Sequence, residues 1–416
     1  MSWIEYNADC DFPIQNLPYG AFTLSSGETH IGVAIGDQIF DLTAATREGL
    51  MDNVVEDSSV FLESTLNAFM AAGRKNWTPA RKRITELLSK ENATVRDNAE
   101  LRSKVIVPQS SVKMVLPAKI GDYTDFYSSK EHATNVGTMF RGADNALMPN
   151  WLHLPVGYHG RASSVVVSGT PLHRPMGQLK PEDAPPVWGP CRLLDFEIEM
   201  GYFVGPGNDL GQRIKIENAE EQIFGVVLMN DWSARDVQKW EYVPLGPFCG
   251  KNFGTTISPW VVTLDALEPF RIKGYDQSEP PVLEYLQDSS DASYDVALSA
   301  SIKAKNMDSP AVISNTNFKY MYWSMKQQLT HHSSTGCNMR PGDLCASGTI
   351  SGTTPDSYGS MLELTWRGSK PVTLPNGEQR KFLQDGDTCV INGYAQGDGF
   401  RVGFGDCSGE VLPAIL

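Results

Sequence analysis

The sequence predicts a mostly β protein with inserted helices, of the α+β class, divided into an N-terminal unit over residues 1–115 and a larger unit over 116–416. Three observations carry that reading. Short β-branched runs punctuated by turn residues recur through the second unit. Helical periodicity is confined to a few stretches. Composition shifts from about Met114 toward Gly, Pro, Tyr and Trp, beyond a connector at Val107-Pro108-Gln109-Ser110-Ser111. With 416 residues, 41 % of them apolar and 20 % charged, the chain can bury a sizeable core without disulfide staples.

Within the first unit, residues 22–24, 31–35 and 38–42 read as strands, the last two joined by the two-residue turn Gly36-Asp37. Phe61, Leu62, Leu66, Phe69 and Met70 recur near a helix period. Thr78-Pro79 offers a hydroxyl N-cap and a first-position proline, which predicts a helix from there to about Lys90. In the second unit, residues 163–169, 223–230, 255–262, 295–304, 361–366 and 388–395 read as strands. One helix is predicted over 317–332, with Phe318, Met321, Tyr322, Met325 and Leu329 on one face. No solenoid repeat and no low-complexity tract interrupts the pattern.

Charge and cysteine usage exclude some classes of function. Thirty-five basic residues against 49 acidic ones give a net charge of −14, and no basic patch of the kind nucleic acid requires is present. Seven cysteines, an odd number without a CxxC pair, read as reduced thiols of the core in a cytoplasmic protein. The first residues lack a signal-peptide pattern, and no apolar run approaches the ~18 residues of a membrane span.

Four runs concentrate chemistry. Asp125, Tyr127 and His132 fall within eight residues, either as a polar loop with a surface histidine or as part of a site. Glu197 and Glu199 sit two apart in a strand-like run and share a face. They form either a solvated edge or a pair of hard oxygen ligands for Ca²⁺ or Mg²⁺. Asp231 ends an apolar strand, and Ser233 with Asp236 resembles a capping box opening a helix. Arg235, Gln238 and Tyr242 then share one helical face, exposed or functional. A Gly/Thr-rich loop carries Lys251 and Thr255, and a second one carries Thr349. Glu363, set among Met, Leu and Trp, reads as a partly buried carboxylate with histidine as a candidate partner. His331 and His332 at a helix end read as structural. Dinucleotide, phosphate-loop, nucleophile-elbow and HExxH motifs are absent.

Taken together, residues 11–20, 121–137, 150–164, 193–200, 228–248, 250–260, 317–332, 340–352 and 385–405 closely resemble the fumarylacetoacetase family. The similarity runs from residue 11 to the C terminus and is weakest between about 43 and 110. The resemblance implies a small N-terminal SH3-like β domain over 1–115 and a catalytic β-sandwich or roll over 116–416, assembled as a homodimer. It implies hydrolysis of the carbon–carbon bond of a diketo dicarboxylate, 4-fumarylacetoacetate, at the end of tyrosine and phenylalanine catabolism.

Carried onto this sequence, the resemblance makes Asp125, Glu197, Glu199 and Asp231 ligands of Ca²⁺, with a Mg²⁺ site near Asp231, Lys251 (through its carbonyl) and Thr255. His132 paired with Glu363 becomes the base, and Arg235, Gln238 and Lys251 stabilise developing negative charge. Tyr127, Arg141, Tyr158, Tyr242 and Thr349, with Arg235 and Gln238, bind substrate. Two other functions remain open: a superfamily relative acting on acylpyruvates, oxaloacetate or dienoates, or a non-catalytic metal-binding protein.

Overall fold

An antiparallel sheet opens the chain: β1 (Tyr19–Thr23), β2 (Thr29–Ile35), β3 (Gln38–Asp41), β4 (Ile106–Pro108) and β5 (Lys113–Val115), in the order β4-β3-β2-β1-β5. The computed structural model describes all of residues 1–416. Gly36 turns β2 into β3 at φ +60°, a conformation that favours glycine. Helix α1 (Arg74–Leu88) lies between β3 and β4 in sequence.

The remainder is built on two further sheets. The elements follow in chain order: β6 (Tyr123–Phe126), α2 (Lys130–Arg141), β7 (Gly157–His159), β8 (Val165–Val167), β9 (Ile198–Val204), β10 (Ile223–Asp231), α3 (Arg235–Glu241), β11 (Thr255–Ile257) and β12 (Val262–Thr263). Next come β13 (Ala297–Lys303), β14 (Ala311–Asn317), α4 (Met325–His332), β15 (Leu344–Ala346), α5 (Met361–Leu364), β16 (Thr388–Gln396) and β17 (Arg401–Leu412). The eight-stranded central sheet runs β7-β6-β15-β9-β10-β11-β8, with β12 paired to β10. The five-stranded sheet runs β14-β13-β16-β17 and ends on Leu172–His173.

Alternation along the central strands assigns each side chain to a face. Ile198, Met200 and Tyr202 of β9, with Val226 and Leu228 of β10, share a core with Leu298, Ala300 and Ile391 of the five-stranded sheet. Phe203, Val227 and Met229 share a second core with Tyr19, Phe69 and Trp77 of the N-terminal unit. The central sheet is therefore buried on both faces. The four site carboxylates lie toward the end of its second face. No helix is long and apolar enough to cross a membrane.

Several local expectations are corrected. The stretch 61–70 is not one helix: a 3₁₀ turn (Ser58–Phe61) and a short helix (Asn67–Ala71) bury Phe61, Leu66, Phe69 and Met70, while Leu62 is exposed. Helix α1 begins at Arg74, not at Thr78, and contains Pro79. Trp77 decides this start. It packs edge-on against Phe224 at 5.2 Å and donates to Phe69 O at 2.7 Å. Proline inside a helix costs ~3 kcal/mol, and burial of a large aromatic side chain, worth ~1.5–3 kcal/mol, offsets most of it.

The helix expected over 317–332 is only its C-terminal half, because Ser324 and Gln327 form a capping box that starts α4 at Met325. Residues 361–366 are not a strand: Ser360 Oγ accepts from Glu363 N at 3.3 Å and opens α5. Ser233 and Asp236 do not cap α3 together. Ser233 pairs with Asp195 in a short ladder, and Asp236 accepts from Arg192 N at 2.8 Å. Cys191, Cys345, Cys389 and Cys407 are core residues, but Cys249 is exposed.

Candidate active site

Period-2 alternation on three strands brings the carboxylates together. Asp125 lies on the face of β6 that carries Tyr123, Glu199 on that of Phe203, and Asp231 on that of Met229; all three apolar residues belong to the same core. Glu197, one step before β9, forms a bridge with Ser360 and shares the side of Glu199. One oxygen from each of Asp125, Glu197, Glu199 and Asp231 lies within 4.8 Å of the others, and all four residues are buried. The expected edge-strand alternative for Glu197 and Glu199 is thereby excluded.

Two cations and several donors surround the four acids. Lys251 Nζ donates to Glu197 Oε2 and, at 2.5 Å, to Asp231 Oδ2. Arg235 Nη2 lies 2.8 Å from Glu197 Oε1. Tyr158 OH donates to Asp231 Oδ2 at 3.1 Å, Thr255 Oγ1 to Asp231 Oδ1 at 3.3 Å, and Gly348 N to Glu199 Oε2 at 3.2 Å. Asp125 Oδ1 and Glu199 Oε1 are buried without any partner.

The electrostatics follow from this unequal pairing. Burial pushes Asp125 and Glu199 well above the usual carboxylate range, and the neighbouring acids push them further. Asp231 is raised by burial and partly restored by Lys251. Burial also opposes ionisation of Glu197, but Lys251 and Arg235 outweigh it and hold its carboxyl far below the usual range. Burial opposes the charge on Lys251, yet Asp231 and Glu197 hold its ammonium above its ordinary value. Two orphaned carboxylate oxygens in an all-oxygen donor set fit a hard divalent cation.

Beside the acids stands a histidine–carboxylate pair. Ser129 caps α2 and places His132 in its first turn. His132 Nδ1 lies 2.7 Å from Glu363 Oε2, and both residues are buried. Glu363 also accepts from Asn135 Nδ2 at 2.9 Å, from Ser360 Oγ at 2.8 Å and from Ser351 Oγ at 2.9 and 3.0 Å. Burial opposes its ionisation, but His132 and these donors hold its carboxyl below the usual range. An ionised carboxylate only accepts, so the ring nitrogen Nδ1 donates to it and Nε2 is the nitrogen left to face a reactant. The ring of Tyr127 meets that of His132 edge-on, with centroids 5.3 Å apart.

The remaining expected residues are less concentrated. Arg235 Nη1 donates to Gln238 Oε1 at 3.4 Å, which joins Gln238 to the cluster. Thr349 is buried. Arg141 is exposed at the end of α2 and donates to Asn145 O at 3.1 Å and Ala146 O at 2.6 Å. Tyr242 is half exposed, and the structure does not bring it into the buried centre. His332 lies 2.7 Å from Thr124 Oγ1, and Tyr285 OH lies 2.9 Å from His331 Nδ1.

Sequence reasoning passed over Asp195, Asn135, Ser351 and Ser360, which orient the groups above. Asp195 carried a readable signal, since it precedes Glu197 by the same two-residue step that links Glu197 to Glu199.

Two sequence families match in tandem. Residues 15–117 match "Fumarylacetoacetase N-terminal" and residues 122–411 match "Fumarylacetoacetate (FAA) hydrolase C-terminal". The chain is 60 % identical to fumarylacetoacetase from Homo sapiens, covering 100 % of both chains. It is 57 % identical to fumarylacetoacetase from Dictyostelium discoideum, over 99 % of this chain and 98 % of that one. It is 52 % identical to the Arabidopsis thaliana fumarylacetoacetase, again over 99 % and 98 %. Among solved structures, a fumarylacetoacetate hydrolase from psychrophilic Exiguobacterium antarcticum shares the fold at 18 % identity, with a TM-score of 0.53 over 95 % of this chain and 99 % of that one. Full-length identity above one half, with both halves matched in order, places this chain in the fumarylacetoacetase family.

Proposed function

We propose that this chain is the hydrolase that splits 4-fumarylacetoacetate into fumarate and acetoacetate, with His132 as general base. The observation that carries the reading is the 2.7 Å His132–Glu363 pair set beside the four buried carboxylates. Water adds to the carbonyl next to the alkene, and its proton passes to His132 Nε2. The carbon–carbon bond then breaks, and the central methylene leaves as the enolate of acetoacetate, which takes up a proton to become its methyl group. Glu363 holds the tautomer that accepts the first proton and stabilises the imidazolium as it forms. Arg235, Gln238 and Lys251 supply preorganised donors for the charge that develops on oxygen.

Asp125, Glu197, Glu199 and Asp231 would hold the divalent cation, assigned as Ca²⁺, with Mg²⁺ at Asp231, Thr255 and the carbonyl of Lys251. The bound cation supplies Lewis acidity toward the diketone oxygens. Arg141 pairs with one carboxylate end of the substrate, helped by the hydroxyls of Tyr127, Tyr158 and Tyr242, while Thr349 lines the same site. The proposal extends to a cytoplasmic homodimer at the last step of tyrosine catabolism, with residues 1–115 and 116–416 as its domains.

The test is a spectroscopic assay of fumarylacetoacetate, with an acylpyruvate and oxaloacetate as comparators, before and after exhaustive chelation. Turnover of fumarylacetoacetate well above both comparators, lost on chelation and restored by Ca²⁺ or Mg²⁺, is expected. Preference for either comparator, or full activity in chelated protein, overturns the assignment.

A further inference from the structure

Asp195 touches neither the water-activating nitrogen nor the acid cluster, and it has no solvent exposure. Its carboxylate nevertheless joins two parts of the site. Oδ2 accepts from Arg235 Nε at 2.8 Å. Oδ1 accepts from Met361 N at 2.7 Å, and Oδ2 also accepts from Leu362 N at 3.0 Å. Those two amides open α5, whose third residue is Glu363. They are N–H groups that have no partner within the helix.

The backbone supports the same junction. Leu194 and Asp195 pair antiparallel with Ala234 and Ser233, directly before Arg235. Two residues on, Glu197 bridges Ser360, the cap of α5. Capping alone needs only a neutral acceptor such as serine or asparagine. A buried carboxylate in this place is explained by the guanidinium it also binds, because a buried charge needs an opposite partner.

We propose that Asp195 is a positioning residue that couples Arg235 to the His132–Glu363 pair. One carboxylate sets the orientation of the guanidinium beside Glu197 and the depth at which α5 presents Glu363. The inference rests on the hydrolytic reading, in which Arg235 meets developing charge and Glu363 orients the base. Both groups act in the transition state, so a loss at Asp195 falls on kcat and leaves KM nearly unchanged.

The test uses the full chain with Asp195→Asn, which keeps the volume and one acceptor oxygen but removes the charge. kcat on fumarylacetoacetate falls about 10- to 100-fold, up to the cost of misplacing a catalytic group by about 1 Å, while KM shifts less than about twofold. Combined with Arg235→Gln, the two losses are less than multiplicative.

A second readout does not depend on turnover. The His132 Nδ1–H bonded to Glu363 gives a downfield proton resonance, assigned by its disappearance in Glu363→Gln. That resonance moves or broadens in Asp195→Asn, although Asp195 does not contact His132. It moves likewise in Arg235→Gln, which serves where Asp195→Asn does not fold. A wild-type resonance in both variants, or multiplicative losses in kcat, overturns the coupling. Absence of turnover by the wild-type protein overturns the functional reading instead, while the resonance still decides the role of Asp195.

Discussion

At the scale of single residues, His132 and Glu363 define the sharpest expectation. A positioned general base contributes ~10²–10⁴ in rate, so His132→Ala lowers kcat by that order while the fold and the acid cluster persist. Glu363→Gln costs less, because the imidazole remains but its proton is no longer held on Nδ1. The double variant is little worse than His132→Ala, since the two residues act as a unit. Steady-state kinetics of the three variants decide the matter, and losses that multiply would show that Glu363 has a separate task. Part of this pairing is legible in the sequence. A carboxylate among apolar neighbours needs a partner, histidine is a suited type, and the family resemblance points to His132. The three further donors to Glu363 are not legible there, because Asn135, Ser351 and Ser360 are ordinary polar residues until folding turns them toward one carboxylate.

The four acids give a second residue-scale expectation, with a definite sign. Asp125 and Glu199 have raised folded pKa values, so each contributes stability that is present below its unfolded value and lost as pH rises through the folded one. Glu363 and Glu197 are depressed, so their contribution is present above the unfolded value, near 4, and fades as pH falls through the folded value. Chelated protein therefore loses stability from mildly acid toward neutral pH. Divalent metal removes that loss by partnering the orphaned oxygens, worth ~2.7 kcal/mol at a hundred times Kd. Glu199→Gln raises the melting temperature of chelated protein at neutral pH and lowers its metal affinity. Calorimetry with and without Ca²⁺ reads both, and a chelated protein whose stability does not fall as pH rises above the ordinary carboxylate range would contradict the charge account.

At the scale of elements, strand faces were far more legible than helix limits. Alternation along residues 196–200 correctly set Glu197 and Glu199 apart from Ile198 and Met200. What alternation could not reveal was convergence. Asp125 reaches the others only because β15, from far along the chain, inserts between β6 and β9. Helix limits failed where tertiary burial outweighed local signals: Trp77 extended α1 across Pro79, and the Ser324 cap cut the apolar stripe of 317–332 in two. The run that holds Glu363 was too short and too apolar for periodicity to separate strand from helix.

Helix α2 yields a prediction that runs against propensity. Gly→Ala inside an exposed helix normally stabilises it by about 1 kcal/mol. At Gly137 an added Cβ would meet Ala146 O at 1.7 Å and Arg141 Nη2 at 2.7 Å. Gly137→Ala therefore expels the segment 143–146 and frees Arg141 from the carbonyls that orient it. KM for the dicarboxylate rises several-fold, with a smaller effect on kcat and on a diketone that lacks the anchored carboxylate. Equal effects on both substrates would remove Arg141 from the anchor role.

At the scale of the whole molecule, one surface is unlike the rest. The hairpin Met176–Leu179/Val187–Pro190 abuts α3 through Trp240 Nε1, which donates to Gln178 Oε1 at 3.1 Å. Around that contact Trp188 is 70 % exposed, Phe248 68 % and Leu245 96 %, with Val187 and Val243 also uncovered. Scattered apolar residues need no explanation, but this many exposed large apolar side chains on one hairpin, one helix and the loop that follows make the region a candidate for coverage by a second copy. The resemblance implied a homodimer, and a twofold contact would cover the same patch on both copies. The loop that carries Leu245 and Phe248 also leads from Arg235 and Tyr242 to Lys251, so a second copy that covered it would support both ends of the site. Leu245→Glu with Phe248→Glu accordingly shifts the protein toward monomer and lowers kcat, because the loop that presents Lys251 loses its support. Light scattering at micromolar concentration finds about twice the 45.8 kDa chain mass for the wild type and a smaller average for the variant. A wild type that stays at the single-chain mass across that range, or a variant that remains dimeric with unchanged kcat, would assign the patch to something other than a second copy.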